Sequence, residues 1–342
     1  MRSPIADRLT AQALSGAPLK RPVDVAERLL AVQGQDPRGA RLAIRARTAG
    51  LSASDVDREL TEERSLLITW LNRGTLHLVR AEDYPLLQTL TTPPLLTSCT
   101  RRLRQEGVPE KAAERAMKTI ERALGDEGPL TGAQLKERLE AVKVPIAKQA
   151  FIHLMFLSAL RGISVRGPMV GKQHAYVLGR DWLGPQSPLP DRDAALAELA
   201  RRYLTGHGPA GARDLARWAG LPLRDARAGL AAIAAELVEC EDGLVDLAKR
   251  PAAEPHPAPR LLGAFDPLLL GWASRDEVVG PHKTLVTTNG IFRPFALVDG
   301  RAVATWRYAG GKVTIEYFGK VVKKAAAALE ADARAVERYL AT

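Results

Sequence analysis

The chain has 342 residues, of which 46% are hydrophobic, which suits two or three folded domains and excludes an intrinsically disordered protein. No apolar run approaches the roughly 18 residues of a membrane helix, and the first residues lack a secretion signal, so we expect a cytoplasmic protein. The formal charge of +10 and the pI near 9.8 favour an acidic polymer, above all nucleic acid, as the partner.

The cysteine content argues against a metal centre. Cys99 and Cys240 are the two cysteines, and neither belongs to a CxxC pair. The sequence therefore predicts free thiols, no disulfide framework and no cysteine metal site. We expect no metal and no cofactor.

The first 90 residues are predicted to form three helices followed by a β-hairpin. A helix with proline at its first position is predicted over 22–33, and the next helices begin near Arg38 and Ser54. Paired strands follow at 66–70 and 74–79 around an Asn-Arg-Gly turn. This order is typical of a winged helix, which is a helix-turn-helix with a β-hairpin wing.

Two glutamines stand at the predicted exit of the first helix, in Gln33-Gly34-Gln35-Asp36-Pro37. Pro37 disfavours helix at Asp36, and Gly34 permits the chain to leave the helix. In extended or irregular backbone, residues two apart can face one pocket, which would bring the two amides together. A solvated helix end explains the same residues, so both interpretations stay open.

The chain then repeats itself. The segment Gly128-Pro129-Leu130-Thr131-Gly132-Ala133-Gln134-Leu135 aligns without gaps with Gly208-Pro209-Ala210-Gly211-Ala212-Arg213-Asp214-Leu215. Each copy is followed by one more predicted helix and by a hairpin, at 145–160 with 163–178 and at 230–237 with 238–247. Each copy therefore predicts a further helix-turn-helix with a wing.

The C-terminal part is predicted to be rich in β-strands. A proline-rich linker over 251–259 precedes strands that are separated by Asn289-Gly290 and Asp299-Gly300. The predicted strands lie at 284–288, 291–298, 302–308 and 313–318, and a helix over 321–340 follows. The predicted fold class is α+β, with three tandem winged-helix units, a C-terminal antiparallel β meander and a terminal helix. The predicted domains are 1–90, 91–185, 186–250 and 251–342.

The sequence resembles the winged-helix DNA glycosylases of the AlkZ and YcaQ type over nearly the whole chain. The resemblance rests on segments 33–37, 73–79, 261–271 and 290–307. It implies a cradle of tandem winged helices with a catalytic Gln-x-Gln motif, here Gln33 and Gln35. It also implies removal of N7-alkylated purines, including bulky adducts and interstrand crosslinks, from double-stranded DNA. The Gln-x-Gln form resembles self-resistance enzymes associated with producers of DNA-alkylating antibiotics.

Two amides would suffice for this hydrolysis because the lesion is already cationic. Ordinary glycosidases need a carboxylic acid and a carboxylate, whereas an N7-alkylguanine leaves as a neutral base without protonation. We assign Gln35 to water and Gln33 to positioning, and the sequence leaves these roles interchangeable. Asp36 and His77 are possible supporting residues, although an Asp-Pro turn and local strand packing explain them better.

The predicted DNA contacts are clustered cations and a hairpin tip. Segment 166–173 has basic ends and an apolar tip, which suits a minor-groove wedge. Solvated basic faces and a solvated hairpin explain the same residues. Trp70 and Trp272 could stack on bases, but large aromatics beside apolar runs usually belong to a core. The candidate contacts are Arg38, Arg41, Arg45, Arg101, Arg102, Arg166, Lys172 and Gln173.

Two other functions stay open from the sequence. One is a winged-helix DNA-binding regulator without activity, and the other is a scaffold that sequesters a genotoxin. The β meander is the feature that a simple regulator explains least, so we favour the enzyme. No lysine occurs between Arg21 and Pro85, so no Schiff-base nucleophile lies near the glutamines in sequence. We therefore expect a monofunctional glycosylase without lyase activity, acting as a monomer.

Overall fold

The computed structural model describes residues 4–171, 173–185 and 191–341. Its helices are named in chain order. They are α1 (Ile5–Ala11), α2 (Pro22–Leu29), α3 (Pro37–Arg45), α4 (Ala53–Thr61), α5 (Tyr84–Thr91), α6 (Pro93–Gln105), α7 (Glu110–Glu127), α8 (Gly132–Ala141), α9 (Ala150–Leu160), α10 (Gly179–Leu183), α11 (Arg192–His207), α12 (Ala212–Ala219), α13 (Leu223–Ala232), α14 (Asp276–Val279) and α15 (Lys323–Leu340).

The strands are named in the same way. They are β1 (Val32–Gln33), β2 (Leu66–Leu71), β3 (Thr75–Arg80), β4 (Ser164–Val170), β5 (Gln173–Leu178), β6 (Leu237–Glu239), β7 (Val245–Leu247), β8 (Arg260–Leu262), β9 (Phe295–Val298), β10 (Arg301–Ala309) and β11 (Lys312–Tyr317). The chain groups into two compact units, a central unit of residues 58–190 and a terminal unit that combines 1–57 with 191–342.

The central unit contains both hairpins predicted for this part of the chain. Strands β2 and β3 pair antiparallel, and their turn holds Asn72 and Gly74 at positive φ. Within the unit the strand order is β3-β2-β4-β5, and helices α6 to α9 supply the apolar core. The helix predicted from residue 145 begins only at Ala150, because Lys148 adopts a φ of 52° that a right-handed helix does not tolerate.

The terminal unit contains the hairpin predicted within 238–247, formed by β6 and β7. The helix before it lies earlier than the predicted 230–237. Gly220 ends α12 in the left-handed conformation, and Pro222 then caps α13, which begins at Leu223. Glycine after one helix and proline before the next are ordinary helix boundaries.

The sequence repeat is also a structural repeat. The backbone amides of Thr131 and Gly211 each donate a capping bond to a side-chain oxygen three residues on, at 2.9 Å to Gln134 and to Asp214. Leu130 forms an isolated antiparallel bridge with Tyr176, and Ala210 forms one with Val245. Each copy thus ties the start of its helix to its own hairpin. The count of three winged-helix units stays a prediction.

A four-stranded antiparallel sheet follows the linker, in the order β11-β10-β9-β8. The prediction of a strand at 284–288 was wrong: this segment has a short 3₁₀ turn and a single bridge between Val286 and Phe292. The reason is that β8, which the sequence did not predict, already occupies the edge of β9, with Leu261 opposite Ala296. Helix α15 packs on the sheet through Leu329 and other apolar residues.

The two compact units divide the chain more coarsely than the four predicted domains. Their first boundary falls inside the predicted domain 1–90, and their second, at 190/191, lies close to the predicted boundary at 185/186. The four predicted domains stay a prediction. Across residues 4–171, 173–185 and 191–341, no helix is both long enough and apolar enough to cross a membrane.

Candidate active site

The glutamine segment connects two helices whose facing ends are both fixed. Helix α2 ends at Leu29, and not at residue 33 as predicted, because Leu30 turns the chain with φ 62° and ψ −40°. The amide of Ala31 donates to the carbonyl of Leu29 at 2.7 Å, which closes a three-residue turn of the rare, strained kind. Leu30 is fully buried, so packing holds it in this conformation.

The two glutamines occupy different environments. Gln33 lies in β1 and keeps only 7% of its surface accessible. Gln35 lies in the irregular stretch between β1 and α3 and is exposed. One glutamine is therefore held within the protein, and the other is accessible to solvent.

Asp36 is the N-cap of α3. Its carboxylate accepts a hydrogen bond from the amide of Gly39 at 2.9 Å, and Pro37 takes the first helical position. The structure therefore supports the turn interpretation of Asp36. A carboxylate bound to the first turn of a helix is also placed to offset the positive end of the helix dipole.

The first turn of α3 packs directly on segment 261–271, one of the segments that carry the family resemblance. A Cβ atom added to Gly39 would overlap the carbonyl oxygen of Ala264, and one added to Gly263 would lie 2.9 Å from Cβ of Leu42. Backbone therefore meets backbone at a distance that only glycine permits. This contact fixes where α3 begins, and with it the end of the glutamine segment.

A buried ion pair ties the same two segments together. The guanidinium of Arg47 binds both carboxylate oxygens of Asp266, at 2.9 and 3.0 Å, and both side chains are fully buried. Arg47 also donates to the side-chain oxygen of Gln12 at 2.9 Å, and Gln12 donates to the carbonyl of Gly206 at 3.0 Å. The sequence analysis missed Arg47 and Gln12. The spacing of Arg47 could have indicated its burial, because it continues the helical series of apolar residues formed by Ala40, Ala43 and Ile44.

Segments that are far apart in sequence meet beside the start of α3. A cavity of about 60 Å³ is lined by Asp36, Arg38, Ala264, Pro294 and Trp306, among others. These residues come from three of the segments that carry the resemblance or adjoin them. The structure thus brings the C-terminal sheet and segment 261–271 next to the end of the glutamine segment.

Comparison with known proteins shows which family the chain belongs to. Residues 26–339 match the family model described as DNA glycosylase AlkZ-like. The chain belongs to the AlkZ-like DNA glycosylase family. It is 30% identical, over 92% of its own length and 90% of the relative, to an interstrand DNA cross-link repair glycosylase of Streptomyces sahachiroi. It is also similar to the solved structure of the DNA glycosylase AlkZ from S. sahachiroi, with a TM-score of 0.82, 27% identity and coverage of 99% and 96% of the two chains.

Three of the predicted DNA contacts in this glycosylase follow the glutamines, and of these Arg38 stays a candidate. Arg38 is exposed beside the cavity described above. Arg41 is 8% accessible, pairs with Asp57 and donates to the carbonyl of Pro37 at 2.9 Å. Arg45 pairs with Asp332 at 2.5 Å. These internal ion pairs argue against Arg41 and Arg45 as contacts to the DNA beside the glutamines.

In the central unit, α6 presents the second predicted cluster. Arg101 and Arg102 are both exposed, and Arg102 pairs with Glu106 at 2.8 Å across one turn. The Arg102 side chain keeps 49% of its surface accessible in this pair, whereas the Glu106 side chain keeps 8%. Both arginines are therefore accessible for the contacts that the sequence predicts.

The hairpin of β4 and β5 has an apolar end. Met169 and Val170 are 39% and 49% accessible, and Gln173, which pairs with Val170, is exposed. Lys172 lies outside the described residues. Arg166 lies further back in β4, and its guanidinium stacks on Trp70 at 5.2 Å and on Tyr176 at 4.2 Å.

The surroundings of Arg166 argue against its predicted contact with DNA. Burial lowers the pKa of Arg166, and the two rings cover its guanidinium. Its position indicates a role in bracing the sheet. The two tryptophans considered as base-stacking residues also serve the interior: Trp70 contacts Phe156 edge-on, and buried Trp272 donates to the carbonyl of His207 at 2.9 Å.

His77, also in the central unit, is a buried neutral residue of β3. Its Nδ1 lies 2.9 Å from the carbonyl oxygen of Thr75, which can only accept, so Nδ1 carries the proton. Burial, with Arg73 adding to it, lowers the pKa of His77 to about 3. A histidine in this state does not act as a general acid near neutral pH.

Proposed function

We propose that this DNA glycosylase hydrolyses the N-glycosidic bond of cationic N7-alkylguanine, with Gln33 and Gln35 as its catalytic residues. One observation carries the proposal: the carboxylate of Asp36, next to the glutamines, caps α3 by accepting the amide of Gly39. The segment thus offers neutral amides where most glycosidases offer acids. This set of groups suits a leaving group that needs no proton.

The charge of the lesion explains how amides can suffice. Alkylation at N7 places a positive charge on guanine. When the glycosidic bond breaks, its electron pair stays with the base, so the base leaves neutral and positive charge develops on the sugar. The enzyme must then hold a water molecule and stabilise an oxocarbenium-like sugar. Amide carbonyl oxygens do both, and one well-placed dipole lowers the barrier by about 3 kcal/mol.

The unequal accessibility of the two glutamines supports a division of roles. Gln35 is exposed, so we assign it to the attacking water. Gln33 is 7% accessible, so its amide is the better fixed and suits the developing sugar cation. Electrostatic stabilisation works best from a dipole that does not reorganise during the reaction.

The substrate that we propose is double-stranded DNA with N7-alkylated purines, including bulky natural-product adducts. The relative from S. sahachiroi is named for interstrand cross-link repair, which supports a site open to large lesions. Arg38, Arg101 and Arg102 would bind phosphates, and the end of the β4–β5 hairpin with Gln173 would enter the minor groove. We expect a monomer without metal or cofactor, found in the cytoplasm and with the nucleoid when bound to DNA.

The test is release of 7-methylguanine from methylated duplex DNA, beside a duplex with a bulky N7-guanine adduct. The Gln33→Ala, Gln35→Ala double variant should bind both duplexes and release neither base. Gln149→Ala, an exposed glutamine change in the central unit, is the control and should leave release unchanged. Release at the wild-type rate by the folded double variant would exclude the glutamines as catalytic residues.

The same reactions test the absence of lyase activity. Strands should stay intact after excision until they are treated with base, since we propose that water is the nucleophile. Strand breakage without base treatment would show an amine nucleophile and contradict the monofunctional mechanism.

A further inference from the structure

We propose that a second site, a cavity at the carboxyl end of α3, binds a phosphate group. The cavity has a volume of about 560 Å³ and lies within the terminal unit. The end of α3 with the loop after it, the residues that lead into β8, and α15 form its walls. Its lining includes Arg45, Thr48, Arg260, Asp332, Arg338 and Tyr339.

The lining holds an excess of positive charge. Among the residues that line the cavity, Asp332 is the one with a carboxylate, and both of its oxygens bind Arg45, at 2.5 and 3.3 Å. One of these oxygens also accepts the backbone amide of Leu261 at 2.7 Å. The pair of Arg45 and Asp332 is therefore neutral as a unit. It leaves the charges of Arg260 and Arg338 without a carboxylate in the wall of the cavity.

Arg260 is held in place by neutral groups. Its Nη1 donates to the carbonyl of Ala46 at 2.6 Å, and its Nε donates to the carbonyl of Ala258 at 3.3 Å. Burial lowers the pKa of Arg260, and Asp332 partly opposes this effect. A fixed, partly desolvated guanidinium whose bonds go to carbonyl oxygens is stabilised by an anion that enters the cavity.

The size and lining of the cavity leave room for a phosphate with an organic group attached. Guanidinium groups match phosphate oxygens, and a volume of this size is in the range of small-molecule sites, about 300–1,000 Å³. Tyr339 provides an uncharged aromatic surface: its hydroxyl donates to the carbonyl of Arg41 at 2.9 Å, and burial raises its pKa. Basic and aromatic groups together suit a phosphate attached to an organic group.

Two sources can supply this phosphate, a free phosphorylated molecule or the backbone of DNA. The DNA source rests on the function proposed above. Helix α3 has nine residues, so its two ends, one beside the glutamines and one beside this cavity, are about 12 Å apart. A DNA phosphate bound here would therefore belong to a nucleotide other than the one being cleaved.

The site can be tested with inorganic pyrophosphate in isothermal titration calorimetry at constant ionic strength. Wild type should bind saturably, and Arg338→Ala and Arg260→Gln should bind at least tenfold more weakly. Arg334→Ala is the matched control, because Arg334 is exposed on the same helix but does not line the cavity. Thermal unfolding of each variant would check that it is folded.

DNA binding separates the two sources. If a backbone phosphate occupies the cavity, Arg338→Ala should lower the salt dependence of duplex binding by about 0.9 in the logarithmic slope, and Arg334→Ala should not. Weaker pyrophosphate binding with an unchanged slope would identify a free ligand. If neither measurement separates Arg338→Ala or Arg260→Gln from Arg334→Ala, the site does not exist. The titration needs neither damaged DNA nor turnover, so its result is independent of the glycosylase assay.

Discussion

Replacing Asp36 by asparagine separates a capping role from a catalytic one. In the structure the carboxylate accepts the amide of Gly39 at 2.9 Å, and asparagine can accept the same bond. The change removes the negative charge and keeps the cap. If Asp36 only caps α3, excision should continue in this variant.

The expected magnitude follows from the helix dipole. Losing a negative charge at the first turn of α3 removes about 0.3–1 kcal/mol of charge–dipole stabilisation. If the same field acts on the sugar cation, the rate of excision falls about two- to fivefold. A general base contributes about 10²–10⁴-fold, so the two roles predict results that do not overlap. Asp36→Ala should in addition lose the cap, at about 1 kcal/mol of stability.

The measurement is single-turnover release of 7-methylguanine by wild type, Asp36→Asn and Asp36→Ala, with urea unfolding of each protein. We expect both variants to stay within about tenfold of the wild-type rate, and alanine to lower the free energy of unfolding by about 1 kcal/mol more than asparagine does. A loss of two orders of magnitude in well-folded Asp36→Asn would make the carboxylate the water activator. It would refute the proposal that two amides carry the chemistry.

Three further predictions concern the support of the site. Arg47→Met should lower the free energy of unfolding by about 3–5 kcal/mol, because it leaves Asp266 charged and buried, and urea unfolding would measure this; a loss below 1 kcal/mol would contradict it. Gly39→Ala should cost about 1–3 kcal/mol and also slow excision, because its methyl group meets the carbonyl of Ala264; unchanged stability and rate would show that the contact is not tight. Burial lowers the pKa of His77 and of His207 to about 3, below the ordinary value of 6.5, so protons bind preferentially to the unfolded chain. The free energy of unfolding should therefore decrease as the pH falls from about 6.5 towards 3, and His207→Gln should make this dependence shallower; an equal dependence in both proteins would contradict the assignment.

The sequence predicted elements best where turn chemistry and periodicity agreed. The hairpin around Asn72 and Gly74 was predicted because only a few residues tolerate positive φ in a tight turn. The repeat was visible because segments 128–135 and 208–215 align without gaps, and in the structure the same capping pattern recurs at Thr131 and Gly211. Both signals are local, so neighbouring residues determine them.

The end of α2 could not be predicted, because the same apolar residues would be buried whether the helix continued or a strand followed it. Val25, Leu29 and Val32 have helical spacing, and all three are buried. Yet Val32 lies in β1, because Leu30 turns the chain out of the helix. A strained turn at leucine has no signature in sequence, since tertiary packing, rather than residue type, holds it.

The ion pairs between distant segments could not be predicted from the sequence for a related reason. Arg41, Arg45 and Arg47 appear as one basic series, and their roles depend on partners that come from elsewhere in the chain. Arg47 reaches Asp266, more than 200 residues away, and Arg45 reaches Asp332. A cation on a predicted helix suggests a solvated or DNA-binding face until the opposing carboxylate is located.

Support and chemistry are consequently separable in this protein. Gly39 and Asp266 lie in contacts that fix α3, so changes there should alter stability and activity together. Gln35 is exposed in the segment between the fixed ends, so its replacement should slow excision and leave unfolding within about 0.5 kcal/mol of wild type. If Gln35→Ala instead lost stability and activity in proportion, the glutamine would be another part of the support, and the chemistry would have to be sought elsewhere.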